Sequence, residues 1–442
     1  MIDRRRNSLT KPMILVALLY LAALLMAPFY IGPEVAANAQ INAERLLLLV
    51  LAATILMGSN LQRVGSALRV LISQRGLLFA IIVGFFVLRL ISAFASPYPV
   101  STLIVINELA ANLMIFIVFF AIFFHFDIRR EIQMVFVVSI VFMFFVACFE
   151  LALGYNPFTQ FAPAGAGMAI NAAEMTRDGF LRVKATFEHS LTLGHTIVML
   201  LPFFLFISKS SLALRSTMVG LLVFLAIATG SRSTILLAFV EIGIAAIYYG
   251  GAIRFGEARI STRALAISLA AVVLVVAVTI ATNTAGKGLF DSYIREAQIN
   301  NGLIAIRQKL ILGYGPGPGA LEAIVAGMKG IGAMRMWRAN LETVDNWYLT
   351  VLLTSGVPAF ILFVSMIGLL AKQAFELLFV NRVLAQRLRR HDHHALAVGV
   401  ATATIFGAAF MAILSIFTVH ALFYIFAAWL TATYVHAKER MA

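Results

Sequence analysis

Cysteine and charge are both scarce in this sequence. The one cysteine, Cys148, lies within an apolar run, so an intrachain disulfide and a cysteine-based metal site are excluded. Charged residues make up 12% of the chain, whereas a soluble domain usually carries about 25%. Glycine loops for phosphates or dinucleotides and the zinc-protease motif are also missing. The sequence therefore gives no sign of a soluble catalytic domain, nor of ATP, NAD or catalytic zinc.

Long hydrophobic runs take the place of charge. Hydrophobic residues are 62% of the 442 residues, and 36 of them are phenylalanine. Because a helix needs about 20 apolar residues to cross a bilayer, the pattern predicts an all-α polytopic membrane protein with about twelve transmembrane helices. A single membrane domain covers residues 1–442. The predicted spans are 13–31, 46–58, 76–95, 103–124, 132–153, 190–207, 216–229, 234–250, 264–283, 347–371, 395–415 and 419–436.

The net charge of +14 is interpreted as a topology signal. Basic residues are scattered between apolar spans rather than gathered on one face, which argues against a nucleic-acid partner. With the N-terminus in the cytoplasm, the short outer loops hold only Arg45 and Arg232, and the cytoplasmic loop 372–394 is densely basic, as expected beside anionic lipid. We therefore expect a bacterial inner-membrane protein with both termini in the cytoplasm.

Two of the predicted outer loops are long, 154–189 and 284–346. Long loops can cross the membrane regardless of their charge, and loops of this length usually serve a function. In the second loop, 291–312 and 320–337 are predicted to be helices. The glycines and prolines of 313–319 separate them, because proline blocks a helix and glycine frees the backbone.

Ionisable side chains within spans are costly to bury, which makes them functional candidates. Arg89 and Glu108 lie at similar depth in neighbouring spans and could pair. Glu150 and His195 lie near outer span ends, and Glu241 approaches the bilayer middle. Individually, they can be read as a structural ion pair and as side chains that snorkel to the interface. Together, their bias toward the outer leaflet predicts a polar cavity that opens outward.

The first of three candidate segments leads from the first long loop into the sixth span. It supplies two cations, one carboxylate and two imidazoles, which are Arg182, Lys184, Glu188, His189 and His195. The alternative interpretation is an ordinary basic anchor at the membrane interface.

The second segment is the short turn 230–233 before the eighth span. A helix N-terminus favours a bound phosphate, Ser231 or Ser233 can cap the helix, and Arg232 offers a fork that matches phosphate oxygens. The alternative is a capping turn with a snorkelling arginine.

The third segment, 342–349, closes the second long loop and enters the tenth span, which has a glycine-proline break at Gly356. Asp345 and Asn346 could simply cap this helix. Asp345 could equally act as a general base at a site facing the outer leaflet.

Together and in this order, the three segments resemble the O-antigen ligase and O-antigen/exopolysaccharide polymerase superfamily of bacterial inner-membrane proteins. Members often have an Arg-rich stretch leading to Thr-Phe-x-His/Asn, here 182–189, and a Ser-Arg-Ser/Gly turn, here 231–233. They also have a long outer loop with a Gly-x-Gly-x-Gly turn, here 313–319. The loop ends in His-Asn-x-x-Leu, here 345–349.

The resemblance covers roughly residues 180–370 and implies an integral-membrane glycosyltransferase without a metal or other cofactor. The implied donor is a glycan on a polyprenyl diphosphate in the outer leaflet, with Asp345 as base and Arg232 on the diphosphate. The remaining residues implied to bind substrate are Arg182, Lys184, Glu188, His189, His195, Ser231, Ser233, Asn346 and Tyr348. The family's His before Asn is Asp345 here, which favours a polymerase-like member.

Other functions remain open from the sequence. A ligase would transfer the glycan to a lipid A-core acceptor instead of a second lipid-linked glycan. A transporter or flippase of a lipid-linked or anionic solute would show repeat symmetry and broken helices near the midplane. A non-catalytic assembly subunit would use the outer loops for docking. Besides donor, acceptor and lipid bilayer, other polysaccharide-assembly proteins are candidate partners.

Overall fold

The structure is a computed structural model in which helices dominate. It describes residues 11–28, 31–32, 34–36, 39–40, 42–96, 100–161, 176–177, 180–207, 211–249, 252–255, 258–261, 299, 302–316, 346–377, 393–412 and 420–439. The helices are α1 (Lys11–Met26), α2 (Ala43–Leu56), α3 (Ser59–Phe94), α4 (Val100–Glu108), α5 (Ile115–His125), α6 (Arg129–Leu153), α7 (Ser190–Phe206), α8 (Leu212–Ala228), α9 (Arg232–Tyr249), α10 (Trp347–Phe375), α11 (His393–Phe410) and α12 (His420–Glu439).

Short antiparallel hairpins lie between some of these helices. They pair β1 (Glu34–Ala36) with β2 (Ala39–Gln40), β3 (Thr176–Arg177) with β4 (Phe180–Leu181), and β5 (Ala252–Phe255) with β6 (Ala258–Ser261). In the longest hairpin, Ala252 lies opposite Ser261 and Phe255 opposite Ala258. A π-helical segment, Leu109–Met114, joins α4 to α5, and a 3₁₀ helix, Pro157–Phe161, follows α6.

Several helices have the length and composition of membrane spans. Among the described residues, five stretches are long and apolar enough to cross a membrane: Ser59–Phe94, Ile104–His125, Arg129–Leu153, Arg232–Tyr249 and Trp347–Phe375. Shorter apolar helices occupy Pro12–Met26, Ser190–Phe206, Leu212–Ala228 and Ala395–Phe410. Each stretch overlaps a predicted span. The all-α class is therefore confirmed, and these helices are compatible with a membrane-embedded protein. The count of about twelve spans stays a prediction, and the predicted span 264–283 lies outside the described residues.

Helices α7 and α12 form the centre of the bundle. Most side chains of both are buried, whereas α3 and α6 expose large apolar side chains such as Leu77, Met134 and Phe149. Exposed apolar faces of this kind suit lipid surroundings. In the centre, the rings of Phe123 and Trp429 stack with centroids 4.7 Å apart, an arrangement that adds to the stabilisation from burial.

Helix α10 is broken at Gly356, as the sequence predicts. Gly356 has a φ of 79° and a ψ of 177°, and a Cβ there would lie 2.2 Å from the carbonyl oxygen of Ile311. Only glycine fits this position. The next N–H, that of Val357, donates to the Leu310 carbonyl at 2.8 Å, and Pro358 has no N–H to leave unpaired. The break lies about 14 Å along the helix, near the depth of a bilayer midplane.

The carbonyls freed by the break are bonded by the glycine turn of the second long loop. The N–H groups of Tyr314 and Gly315 donate at 2.9 Å to the carbonyls of Leu353 and Thr354, respectively. Gly313, with a φ of 64°, lies so close that a Cβ would be 2.5 Å from the Leu353 carbonyl oxygen. The turn thus fills the break with protein, which satisfies backbone groups that lipid could not.

The helix predicted over 291–312 is wrong in its last turns. Within the described part, the chain is helical over 302–306 and then continues as turns through 314. The Tyr314 hydroxyl donates to the Ala305 carbonyl at 2.9 Å, which folds the turn back on the short helix. Contacts with α10 therefore override local helix propensity. The helix predicted over 320–337 lies outside the described residues.

Candidate functional site

The first candidate segment is held by a buried carboxylate, Glu150 of α6. Its oxygens accept the backbone N–H of Lys184 at 3.2 Å and that of Ala185 at 2.9 Å, and the Asn156 amide donates to it at 3.1 Å. Ala185 adopts a φ of 51°, which is unusual for a residue other than glycine. Glu150 is fully buried. The interpretation that it snorkels to the interface is therefore wrong, because backbone donors inside the protein replace water.

The same segment packs on the second one. The N–H of Val183 donates to the Ala228 carbonyl at 2.9 Å, and Nε of Arg182 donates to the Thr229 carbonyl at 3.1 Å. Gly230 lies against the Arg182 side chain, so that a Cβ would be 3.1 Å from its Cγ. The structure therefore places Arg182 beside the 230–233 turn, as a joint site requires.

His189 caps the N-terminus of α7. Its Nδ1 accepts the Leu191 N–H at 3.1 Å, so its ring proton belongs on Nε2. Burial, reinforced by the positive charges of Arg182 and Lys184, lowers the pKa of His189 to about 4. The imidazole is therefore neutral near pH 7. Glu188, the preceding residue, is half-buried.

The second segment is a capping turn, as one of the two interpretations predicts. Oγ of Ser231 accepts the Thr234 N–H at 3.3 Å, and the hydroxyls of Ser231 and Ser233 lie 3.0 Å apart. Gly230 provides the turn with a φ of 59°. Arg232, the first residue of α9, is exposed. A cap and an exposed arginine at a helix N-terminus are compatible with anion binding.

The third segment begins helix α10 with Asn346 as its cap. Oδ1 of Asn346 accepts the Leu349 N–H at 3.1 Å. The Trp347 N–H donates to the Met411 carbonyl at 2.9 Å, and the Tyr348 hydroxyl donates to the Ala408 carbonyl at 2.9 Å. These bonds fix the start of α10 on the end of α11. Asp345 lies outside the described residues, so its role stays a prediction.

Helix α11 connects this third segment to the first. The imidazole of His195 in α7 stacks on Phe410 of α11, with centroids 5.2 Å apart and planes 4° apart. On the other side, the Trp347 ring lies 4.2 Å from the ring of His420, which is close enough to interact electrostatically with His195. The N-termini of α7, α9 and α10 therefore lie at one end of the bundle.

The sequence analysis does not single out His420. This residue is almost completely buried at the first position of α12, between Trp347 and the region of His195. The signal was present, because His420 lies within the predicted span 419–436 and ionisable residues in spans are functional candidates.

The predicted ion pair of Arg89 and Glu108 is confirmed. Nε and Nη2 of Arg89 each donate to one oxygen of Glu108 at 2.7 Å. Nη1 donates to the Ser355 hydroxyl at 3.0 Å, at the end of the first half of α10. A cation is favourable at such a helix C-terminus. The π-helical segment Leu109–Met114 follows Glu108 directly.

An apolar groove lies between α8 and α9 and is lined by residues such as Val223, Ile235 and Phe239. The outward-opening polar cavity expected from the sequence is a different feature and stays a prediction. Within the described part of the chain, no group of three or more metal-ligating side chains occurs.

Comparison of the sequence with protein-family models and with curated proteins gives no match. The assignment to a family therefore stays a prediction from the three segments and their order.

Proposed function

We propose that this protein is an integral-membrane glycosyltransferase that joins glycans carried on polyprenyl diphosphates, in the manner of a polysaccharide polymerase. The observation that supports this proposal is the convergence at one end of the bundle of Arg182, Arg232 and the N-termini of α7, α9 and α10. Both cations and helix N-termini favour a bound anion.

The leaving group explains why such a site is suited to the reaction. When the bond between the sugar and the diphosphate breaks, negative charge builds on the diphosphate. Preorganised cations and backbone N–H groups stabilise charge that develops in a transition state. Arg232 would hold the diphosphate through its fork, beside Ser231 and Ser233. Arg182 lies against the same turn, and Lys184 lies two residues further along, in the segment whose backbone bonds to Glu150. Both side chains therefore add positive potential at the diphosphate.

The acceptor hydroxyl needs a base. In our proposal Asp345 takes its proton as the hydroxyl oxygen bonds to the donor sugar, and the diphosphate leaves with the bonding electrons. Asn346 fixes the chain next to Asp345 by capping α10. His189, His195, Glu188 and Tyr348 complete the surroundings that we assign to substrate, and the reaction uses no metal or other cofactor.

The proposed setting is the outer leaflet of a bacterial inner membrane, with both termini in the cytoplasm. The partners are the lipid-linked donor, a glycan acceptor, the bilayer and other polysaccharide-assembly proteins. With lipid A-core as acceptor, the same chemistry would make the protein a ligase. Deletion of the gene separates these two. If single repeat units remain on the surface but long chains are lost, the protein is a polymerase. If every unit is lost, it is a ligase.

The break in α10 favours a second candidate, a transporter of lipid-linked or anionic solutes. Broken helices near the midplane are a feature of transporter sites. In transporters, however, the unwound backbone lines the substrate site, whereas here the turn around Tyr314 fills the break. We therefore rank transport below glycosyl transfer.

Purified protein, a polyprenyl-diphosphate glycan donor and a lipid-linked acceptor test the proposal. We expect elongated lipid-linked glycan, detected by mass spectrometry, and only an enzyme forms this new glycosidic bond. Transport of donor across proteoliposomes without any new bond would replace the proposal by the second candidate.

Arg232→Ala should lower the rate of product formation by at least about a hundredfold, as removal of a transition-state charge partner does. Arg232→Lys should recover little, because an ammonium cannot copy the bidentate fork. Arg45→Ala is the matched control, since Arg45 also lies in the first turn of a capped helix, α2 with Asn42, but outside the site. Equal activity of all three variants would leave the turn as a helix cap only.

A further inference from the structure

Glu241 of α9 is a buried carboxyl that the proposed reaction does not use. It is fully buried, and neither of its oxygens has a hydrogen-bond partner in the described structure. The other intramembrane carboxyls differ, since Glu108 pairs with Arg89 and Glu150 accepts backbone N–H groups. A lone ionised carboxylate in such a place would be very costly. Glu241 is therefore suited to exist as the neutral acid.

The face of α9 that carries Glu241 packs on α7. Thr234, Ala238 and Glu241 follow each other at helical spacing on one stripe of buried residues. A Cβ on Gly194 of α7 would lie only 2.1 Å from Oγ1 of Thr234, so the Thr234 side chain points at the α7 backbone. Glu241 follows about 10 Å further along the same stripe.

Polar atoms occur along the approach from the N-terminal ends of α7 and α9. The hydroxyl of Thr234 is buried and has no hydrogen-bond partner within the described residues. Pro202 of α7 has no N–H, so the Val198 carbonyl lacks its helical donor. Buried polar groups of this kind are usually satisfied by water. The seam thus offers polar partners to water between the end of the bundle and Glu241.

The opposite end of the seam is closed by apolar and aromatic side chains. Phe206 of α7 packs with Ala245 of α9 and Val398 of α11. The rings of Tyr248 and Tyr249 lie 5.3 Å and 6.1 Å from that of Phe206. Any exchange of Glu241 with solvent is therefore directed to the end where α7 and α9 begin.

Other titratable groups on the packed helices stand away from Glu241. On α7, His195 lies near the N-terminal end, stacked on Phe410. On α8, Arg215 lies at the closed end, where it donates to the Leu205 carbonyl and lies over the Tyr249 ring. The histidines of α11, His393 and His394, are in its first turn, and Arg232 begins α9 itself.

We propose that Glu241 is a membrane-embedded proton-binding site that exchanges its proton with the solvent at the end of the bundle where α7 and α9 begin. The ligand is a proton, because the described part of the seam offers a lone carboxyl and one hydroxyl and lacks the further oxygen ligands that a metal cation requires. This inference does not depend on the proposed glycosyltransferase activity.

Dicyclohexylcarbodiimide tests the proposal, because this apolar reagent modifies protonated carboxyls in apolar surroundings. The full-length protein in lipid nanodiscs is treated at a series of pH values from about 5 to about 9, and the modified fraction of each carboxyl is read by peptide mass spectrometry. We expect Glu241 to be labelled at low pH and its labelling rate to fall by at least about tenfold across the series, as the protonated fraction falls tenfold per pH unit above the pKa.

The controls are a second buried carboxyl of the same protein and variants of the α7–α9 seam. Glu108, a buried carboxylate paired with Arg89, should stay unlabelled in the same digest, and Glu241→Gln should remove the label from the α9 peptide. Thr234→Val keeps the shape of the side chain but removes a hydroxyl from the approach, and it should slow the response of labelling to a pH jump. Absence of label at Glu241 at every pH would overturn the proposal. Labelling of Glu241 that is independent of pH would also overturn it, since a permanently neutral acid exchanges no proton.

Discussion

Two regions of the bundle bury ionisable side chains at similar depth and treat them in opposite ways. At the break of α10, the Arg89 guanidinium has Glu108 and Ser355 as partners. Between α7 and α9, Glu241 is buried as deeply but has no partner in the described structure. The difference shows that burial alone does not assign a role to a charged residue. A satisfied pair holds helices together, whereas for the unsatisfied Glu241 we propose exchange of a proton.

The largest effect should come from breaking the satisfied region. Arg89→Ala leaves Glu108 buried without its cation and should lower the free energy of unfolding by about 3–5 kcal/mol. Thermal unfolding in detergent micelles measures it. The double variant Arg89→Met/Glu108→Leu removes both charges and should recover much of the loss. Wild-type stability of Arg89→Ala would contradict the view that this pair holds α3, α4 and α10 together.

The break in α10 should give the second-largest loss of stability. Gly356→Ala places a Cβ against the Ile311 carbonyl at a positive φ, which should destabilise the protein by about 2–3 kcal/mol. Gly368→Ala is the matched control in the same helix, since its Cβ would meet nothing within 4 Å. It should be neutral or stabilise by up to about 1 kcal/mol. The same unfolding assay compares them, and equal effects would mean that the turn does not fill the break.

An intermediate effect is expected at the end of α7, where the His189 cap needs a neutral ring. Its pKa is lowered to about 4 from an ordinary value near 6.5, so the unfolded chain binds the proton more readily. The stability that depends on a neutral His189 ring is therefore complete above about pH 6.5 and is lost as the pH falls toward 4. Acidification from pH 7 to pH 5 should remove about 2 kcal/mol. His189→Asn caps without titrating, so a loss of the same size in this variant would assign the pH dependence elsewhere.

The smallest effect should come from Glu241→Gln. An amide of nearly the same shape replaces a neutral acid that has no partner to lose, so the free energy of unfolding should change by less than about 1 kcal/mol. Urea or thermal unfolding near neutral pH measures it beside Arg89→Ala. A loss of several kcal/mol would show that Glu241 is an essential structural group and would remove the contrast between the two regions.

The sequence pattern predicted those structural features that depend on residues close together in the chain. The positions of the helices follow from hydropathy, and the break at Gly356 follows from a glycine and a proline in close succession. The caps at Ser231 and Asn346 follow from short polar side chains at helix starts. Partners distant in sequence were harder to predict. The pairing of Arg89 with Glu108 was foreseen from depth, but the burial of Glu150 was not, because its backbone donors come from residues more than thirty positions away.

By itself, the sequence determined that this chain is helical and apolar enough for a membrane, where most of its helices lie, and that α10 is interrupted at Gly356. Hydrophobic length and backbone restrictions act over a few residues, so they can be read directly. Only the tertiary structure decided how the carboxyls of Glu150 and Glu241 are surrounded. The orientation of α6 about its axis directs Glu150 toward the Lys184 backbone, and the packing of α9 on α7 isolates Glu241. These outcomes depend on the contact faces of helices that meet from distant parts of the chain, and local patterns carry no information on that geometry.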